Sequence, residues 1–95
     1  MSAYLLVSIT VTDPERFATY KAAVPEVIAA HGGRYLVRGG DIEALEGSHD
    51  GPRIVILEFP SMEAAHAFWN SPEYAQVKSL RDGAAELNVL ALTGA

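Results

Sequence analysis

Two side chains in this sequence are of the types that move protons. Glu58 follows four consecutive apolar residues, Ile54-Val55-Ile56-Leu57. A carboxylate held in an apolar pocket has its pKa raised and can act as a general acid or base. In its structural role the same residue ends a strand in solvent or pairs with an arginine. His31 closes a helical stretch and can shuttle a proton near neutral pH. As a cation it would also complement the negative end of that helix. These two are the candidate catalytic residues. Arg34 and Arg38 share one strand face on a regular alternation. Either guanidinium can hold the carboxylate of a small acid through two parallel bonds, or protect a sheet edge. The segment Trp69-Asn70-Ser71-Pro72-Glu73-Tyr74 breaks a helix and sets two aromatic rings around an amide. That combination suits a small, partly apolar ligand. Tyr20 and Tyr35 read as core or pocket lining, each hydroxyl needing a partner if buried. The candidate ligand-binding residues are therefore Arg38, Trp69, Asn70, Tyr74 and Tyr20. Arg81 reads as an ion-pair partner, His66 as helix surface and His49 as a solvated turn.

Other chemistry is poorly served. The chain has no cysteine, and its three histidines lack paired-ligand spacing, so neither a metal nor another cofactor is expected. No nucleophilic triad, phosphate loop or dinucleotide fingerprint is present. The double glycines Gly32-Gly33 and Gly39-Gly40 read as turn and bulge devices. The net charge is −5 and no basic cluster occurs, which argues against nucleic acid. No apolar run approaches the ~20 residues of a membrane span. Met1-Ser2-Ala3-Tyr4 lacks a positive leader, so the expectation is a soluble cytoplasmic protein.

The elements that must position these residues are legible in order. Residues 3–11 form a strand with Leu5, Val7, Ile9 and Val11 on one face. Tyr4, Leu6, Ser8 and Thr10 take the other. Asp13-Pro14 opens a helix, with an aspartate cap and a proline where its missing N–H costs nothing. Phe17, Tyr20, Val24, Val27 and Ile28 form its apolar stripe. Pro25 predicts a kink, and His31-Gly32-Gly33 predicts the stop. Residues 34–38 form a second strand, with a bulge or bend at Gly39-Gly40 and a weaker strand extension at 42–46. Turn residues 48–52 lead back into a third strand at 53–59. Ser61 caps a second helix, with Met62, Ala65, Phe68 and Trp69 inward. Ser71-Pro72-Glu73 starts a third, with Tyr74, Val77, Leu80 and Ala84 inward. Residues 87–93 form the fourth strand.

The order β-α-β-β-α-β, with the second helix broken, is that of a ferredoxin-like sandwich in one domain, residues 1–95. The fold class is α+β, a four-stranded antiparallel sheet with its helices on one face. The first and third strands are then central, in keeping with their apolar sequences. Those strands carry apolar residues on both faces, yet the helices cover only one. A chain of 95 residues buries roughly 60–65% of its unfolded surface and has little core to spare. An apolar sheet face left open is more than a monomer tolerates. A homodimer joined sheet face to sheet face is predicted. Ser8 and Glu58 are the polar residues such a face must accommodate.

Several stretches together carry a resemblance. They are Asp13-Pro14-Glu15, Val24-Pro25, His31-Gly32-Gly33-Arg34-Tyr35, Arg38-Gly39-Gly40, Leu45-Glu46-Gly47, Glu58-Phe59-Pro60-Ser61 and Trp69 to Tyr74. Across nearly the whole chain the sequence resembles the domain-of-unknown-function 1330 family, within the dimeric α+β barrel superfamily. The resemblance implies a ferredoxin-like protomer and a sheet-to-sheet dimer, and it supplies no reaction. The wider superfamily includes cofactor-free monooxygenases, lactone isomerases, haem-degrading enzymes and ligand-binding regulatory domains, whose sites commonly lie between helices and sheet. The functional expectation is a cofactor-free enzyme acting on a small organic acid or aromatic compound. The alternatives are a non-catalytic module binding a small metabolite, and a structural dimer without ligand.

Overall fold

The computed structural model describes residues 2–95. Its elements are β1 (Ala3–Val11), α1 (Pro14–Ala30), β2 (Arg34–Arg38), β3 (Arg53–Phe59), α2 (Met62–Trp69), α3 (Pro72–Ser79) and β4 (Ala85–Thr93). The four strands form one antiparallel sheet in the order β2-β3-β1-β4. The two most apolar strands are therefore central, and the arginine-bearing β2 lies at an edge, as the sequence predicts. No helix is long and apolar enough to cross a membrane among the described residues.

The helix ends follow the cap chemistry. The Asp13 side chain accepts a hydrogen bond from the Arg16 N–H, and Pro14 occupies the first turn. The helix α1 continues through Pro25 to Ala30. Gly32, at φ +80°, supplies the left-handed turn into β2. Ser61 Oγ accepts from the Ala64 N–H at 3.0 Å and starts α2. Ser71 ends α2 and begins α3 at once. Its Oγ donates to the Phe68 carbonyl at 2.8 Å and accepts from the Tyr74 N–H at 3.0 Å. The break at residues 70–71 is thus a buried hydrogen-bonded joint that fixes the relation of Trp69 to Tyr74.

Alternation divides the sheet into two faces. In register, Leu5 opposes Leu57 and Ala91, and Val7 opposes Val55 and Val89. This face meets the helices, and its core includes Leu5, Phe17, Val24, Ile28, Leu57, Phe59 and Phe68. Phe59 is completely buried. The opposite face carries Tyr4, Leu6, Ser8, Ile54, Ile56, Glu58, Asn88, Leu90 and Leu92, with no element of the same chain over it. Leu90 and Leu92 stand 54% and 43% exposed there.

Three expectations are corrected. Residues 42–46 are not a strand; the chain from Gly39 to Pro52 is a loop of bends with its side chains largely exposed. Four of its residues are acidic and three are glycine besides Gly39, a composition with little to pack and no face to pair. Leu80 is not inward: it lies past the end of α3 and is 36% exposed. Arg34 and Arg38 do not share a face. A register shift between Tyr35 and Val37 inserts Leu36 as an extra residue. It turns Arg34 to the outer face beside Glu58 and Arg38 to the helix side beside Val55.

Candidate functional site

The inner faces of α1, α2 and α3 do not close completely on the sheet. They leave a cavity of about 60 Å³ between α1, the joint at residues 70–71 and the strands β1–β4. Its walls are aliphatic and aromatic, with Leu5, Val7, Leu57 and Val89 from the sheet. Helix α1 adds Phe17, Tyr20, Val24 and Ile28, spaced along one stripe. Phe68, Trp69 and Tyr74 converge from either side of the joint, with ring centroids 4.5 Å apart for Phe68–Tyr74 and 5.3 Å for Trp69–Tyr74.

Among the described residues, three cations line this cavity and no carboxylate does: Lys21, Arg38 and Arg53. The Arg38 guanidinium lies 4.5 Å from the centre of the Tyr35 ring, and its Nη2 donates a long bond of 3.5 Å to the Lys21 carbonyl. Arg38 and Arg53 are exposed residues at the mouth of the cavity. Gly39, at φ +69°, leaves room for Arg53; a Cβ there would run into its guanidinium. Burial pushes the Tyr35 phenol up, with the nearby Arg38 charge opposing it.

The buried end of the site is polar. The Tyr20 and Tyr74 hydroxyls lie 3.0 Å apart in a buried hydrogen bond. The Arg81 guanidinium lies 5.6 Å from the Tyr20 ring centre. Burial, and then the neighbouring Tyr74, drive the Tyr20 pKa far above its ordinary value, with Arg81 acting in the opposite direction. Burial works against the charge on Arg81, but the two phenol oxygens outweigh it and hold the guanidinium firmly protonated. Arg81 does not have the carboxylate partner expected of it. The one salt bridge among the described residues joins Arg34 and Glu58, and the Nε of Arg81 is buried without a partner.

Of the residues singled out in the sequence, Tyr20, Arg38, Trp69 and Tyr74 meet at this cavity. Asn70 does not line it; it caps α2 and faces outward. Glu58 and His31 also lie elsewhere. Glu58 points to the outer sheet face, where its carboxylate meets Arg34 at 2.6 Å. That hydrogen bond holds its pKa below the ordinary 4.5. His31 donates from Nδ1 to the Val27 carbonyl at 2.9 Å and packs edge-on against Phe68, above a shallow outer depression beside Glu26 and Glu73. Lys21 and Arg53 were not singled out, though the pattern contains them. Lys21 falls on the α1 stripe between Phe17 and Val24, and Arg53 is in phase with Val55 and Leu57. No cluster of three or more potential metal ligands occurs among the described residues.

The family model described as Domain of unknown function (DUF1330) matches residues 2–95. Comparison with curated proteins gives no match. Among solved structures the fold is similar to a protein of unknown function from Rhodopseudomonas palustris, at 20% identity and a TM-score of 0.77, covering 99% of this chain and 82% of that one. It is similar to a dimeric ferredoxin-like protein of unknown function from Jannaschia sp. CCS1, at 15% identity and a TM-score of 0.72, covering 99% and 100%. It is also similar to SnoaB, a cofactor-independent oxygenase from Streptomyces nogalater, at 15% identity and a TM-score of 0.70, covering 99% and 93%. The fold is ferredoxin-like α+β.

Proposed function

This chain belongs to the DUF1330 family, and on that premise we propose that it binds a small organic acid in the cavity between helices and sheet, as a homodimer joined through the outer sheet face. The observation that carries the binding reading is the charge asymmetry of the cavity. An apolar interior rimmed by Lys21, Arg38 and Arg53, with no carboxylate lining it, favours an anion with an apolar body. The volume, about 60 Å³, suits a short chain rather than a fused ring system.

Cofactor-free catalysis in the same cavity is the second reading, and the buried Tyr20–Tyr74 hydroxyl pair favours it. SnoaB, with a similar fold, is described as a cofactor-independent oxygenase. Binding without turnover is the better-supported of the two, because among the described residues neither an imidazole nor a carboxylate lines the cavity to take a proton from a substrate carbon. Glu58 is tied to Arg34 on the other face, and His31 is held by Val27. The outer-face apolar residues Leu6, Ile54, Ile56, Leu90 and Leu92 support the homodimer.

Trp69, the one tryptophan, lines the cavity and reports on its contents. Titration with pentanoate is expected to change its fluorescence, whereas pentylammonium, of the same length and opposite charge, leaves it unmoved. Arg38→Gln should weaken pentanoate by about 10–100-fold, the worth of a charge-assisted hydrogen bond. Equal responses to acid and amine, or no effect of Arg38→Gln, would refute the reading. Consumption of the acid during the titration would move the balance to the enzyme.

A further inference from the structure

The cavity's buried end holds an unfinished hydrogen-bond account. Tyr20 and Tyr74 are 8% and 3% exposed, and their hydroxyls bond to each other. Each phenol carries one proton to donate. One of the two protons fills the bond between the oxygens. The other has no acceptor among the described residues: beyond the mutual bond, the polar group beside the two hydroxyls is the Arg81 guanidinium. The neighbouring polar group, Arg81, cannot help. A guanidinium is a donor throughout, and its own Nε is already buried without a partner. One phenol proton is thus left without an acceptor beside an apolar cavity that both tyrosines line, where an unmet donor costs stability. What this end lacks is an acceptor that brings no further proton.

We propose that the acid bound here is an oxo-acid, whose carboxylate meets the Lys21, Arg38 and Arg53 rim and whose carbonyl oxygen accepts the spare hydroxyl proton of the Tyr20–Tyr74 pair. This rests on the acid-binding reading above and specifies its ligand. A carbonyl is favoured over a hydroxyl because a hydroxyl would add a donor to a place already oversupplied with them. Arg81 is a positioning residue. It stands beside both phenols and, as a donor throughout, cannot take the spare proton, which leaves that proton for an occupant of the cavity.

The test compares pentanoate with 2-oxopentanoate, 4-oxopentanoate and 4-hydroxypentanoate by Trp69 fluorescence on the full chain. At least one oxo-acid is expected to bind about tenfold more tightly than pentanoate, as sites built to bond a substrate oxygen reject the analogue lacking it. The hydroxy-acid should show no such gain. In the double variant Tyr20→Phe/Tyr74→Phe the oxo preference should fall to about one. Removing both partners keeps the shape of the site and leaves no orphaned hydroxyl. If none of the acids binds, the acid-binding reading falls and the inference with it. If pentanoate and its oxo derivatives bind equally, water satisfies the pair and the inference alone is overturned. A preference that survives in the double variant also overturns it, because the phenols are then not its source.

Discussion

The proposed dimer makes a quantitative demand on Leu90. It stands on the outer face directly opposite Leu6, and 54% of its surface is open in the protomer. Fully burying a leucine stabilises by about 1.5–3 kcal/mol, so covering the open half contributes roughly 0.8–1.6 kcal/mol per copy. Two-fold symmetry counts it twice. Leu90→Ala keeps the Cβ and loses most of the rest, which is about 1–3 kcal/mol per dimer, or a roughly 5–150-fold larger dissociation constant. Leu90→Asp adds a carboxylate that must be stripped of water in each copy, and it should abolish the dimer at tens of micromolar. Sedimentation velocity across a concentration series reads both effects. Circular dichroism of the dissociated variants should match the wild type, because the residue touches no helix of its own chain. A wild-type chain that sediments as a monomer at tens of micromolar would refute the reasoning, and so would a Leu90→Asp chain that associates undiminished.

Two further outcomes follow from the titrating groups. The hydrogen bond from Arg34 holds the Glu58 carboxylate below 4.5, so the pair adds stability above that pH and loses it as the pH falls through the lowered value. In Arg34→Ala the Glu58 carboxyl resonance should titrate at a higher pH than in the wild type; an unchanged midpoint would show that the pair does not set it. Tyr20 has the opposite sense: its raised pKa means that above pH 10.0 the unfolded chain gives up a proton the folded chain keeps. Stability should therefore fall with pH by up to about 1.4 kcal/mol per pH unit from this one group. Urea unfolding between about pH 10 and pH 12 should show a shallower decline in Tyr20→Phe, and parallel curves would place the phenol outside the core.

The order of elements was readable because each boundary has its own local cause. Asp13, Ser61 and Ser71 cap the three helices, Gly32 turns out of α1, and the solid apolar runs at residues 3–11 and 53–59 belong in the middle of a sheet. That Tyr20, Trp69 and Tyr74 meet was legible for a similar reason: an aromatic stripe and a helix break converge on any helix-on-sheet packing. Which face each strand residue occupies depended on phase, and phase is where the reading failed. Glu58 follows a strand with no polar alternation, so the sequence could not say whether it met the helices or the open face. The extra residue at Leu36 is invisible in RYLVR, yet it separates Arg34 from Arg38. Arg81 lies outside any regular pattern, in the turn before β4, and its proximity to two phenols is a tertiary fact. The loop at 42–46 misled because Ile42, Ala44 and Leu45 give it an apolar share like a strand's, while only a partner strand could have made that count.

The same alternation assigns two tasks to one pair of strands. In β1 the odd residues Leu5, Val7 and Ile9 line the cavity, while Leu6 and Ser8 between them face away. In β3, Val55 and Leu57 line the cavity, while Ile54, Ile56 and Glu58 face away. A wholly polar outer face would remove the reason to associate, and a helix over it would make the protomer self-sufficient. Neither is present, so the open face and the half-filled inner face back onto each other across a single sheet one residue thick. The bulge at Leu36 serves this arrangement at the edge. It gives Arg34 to the outer face, where it pairs with the one carboxylate of β3, and gives Arg38 to the inner face, where it lines the cavity. Without that extra residue both arginines would fall on one side. Either Glu58 would lose its ion-pair partner, or the cavity would lose Arg38 from its lining.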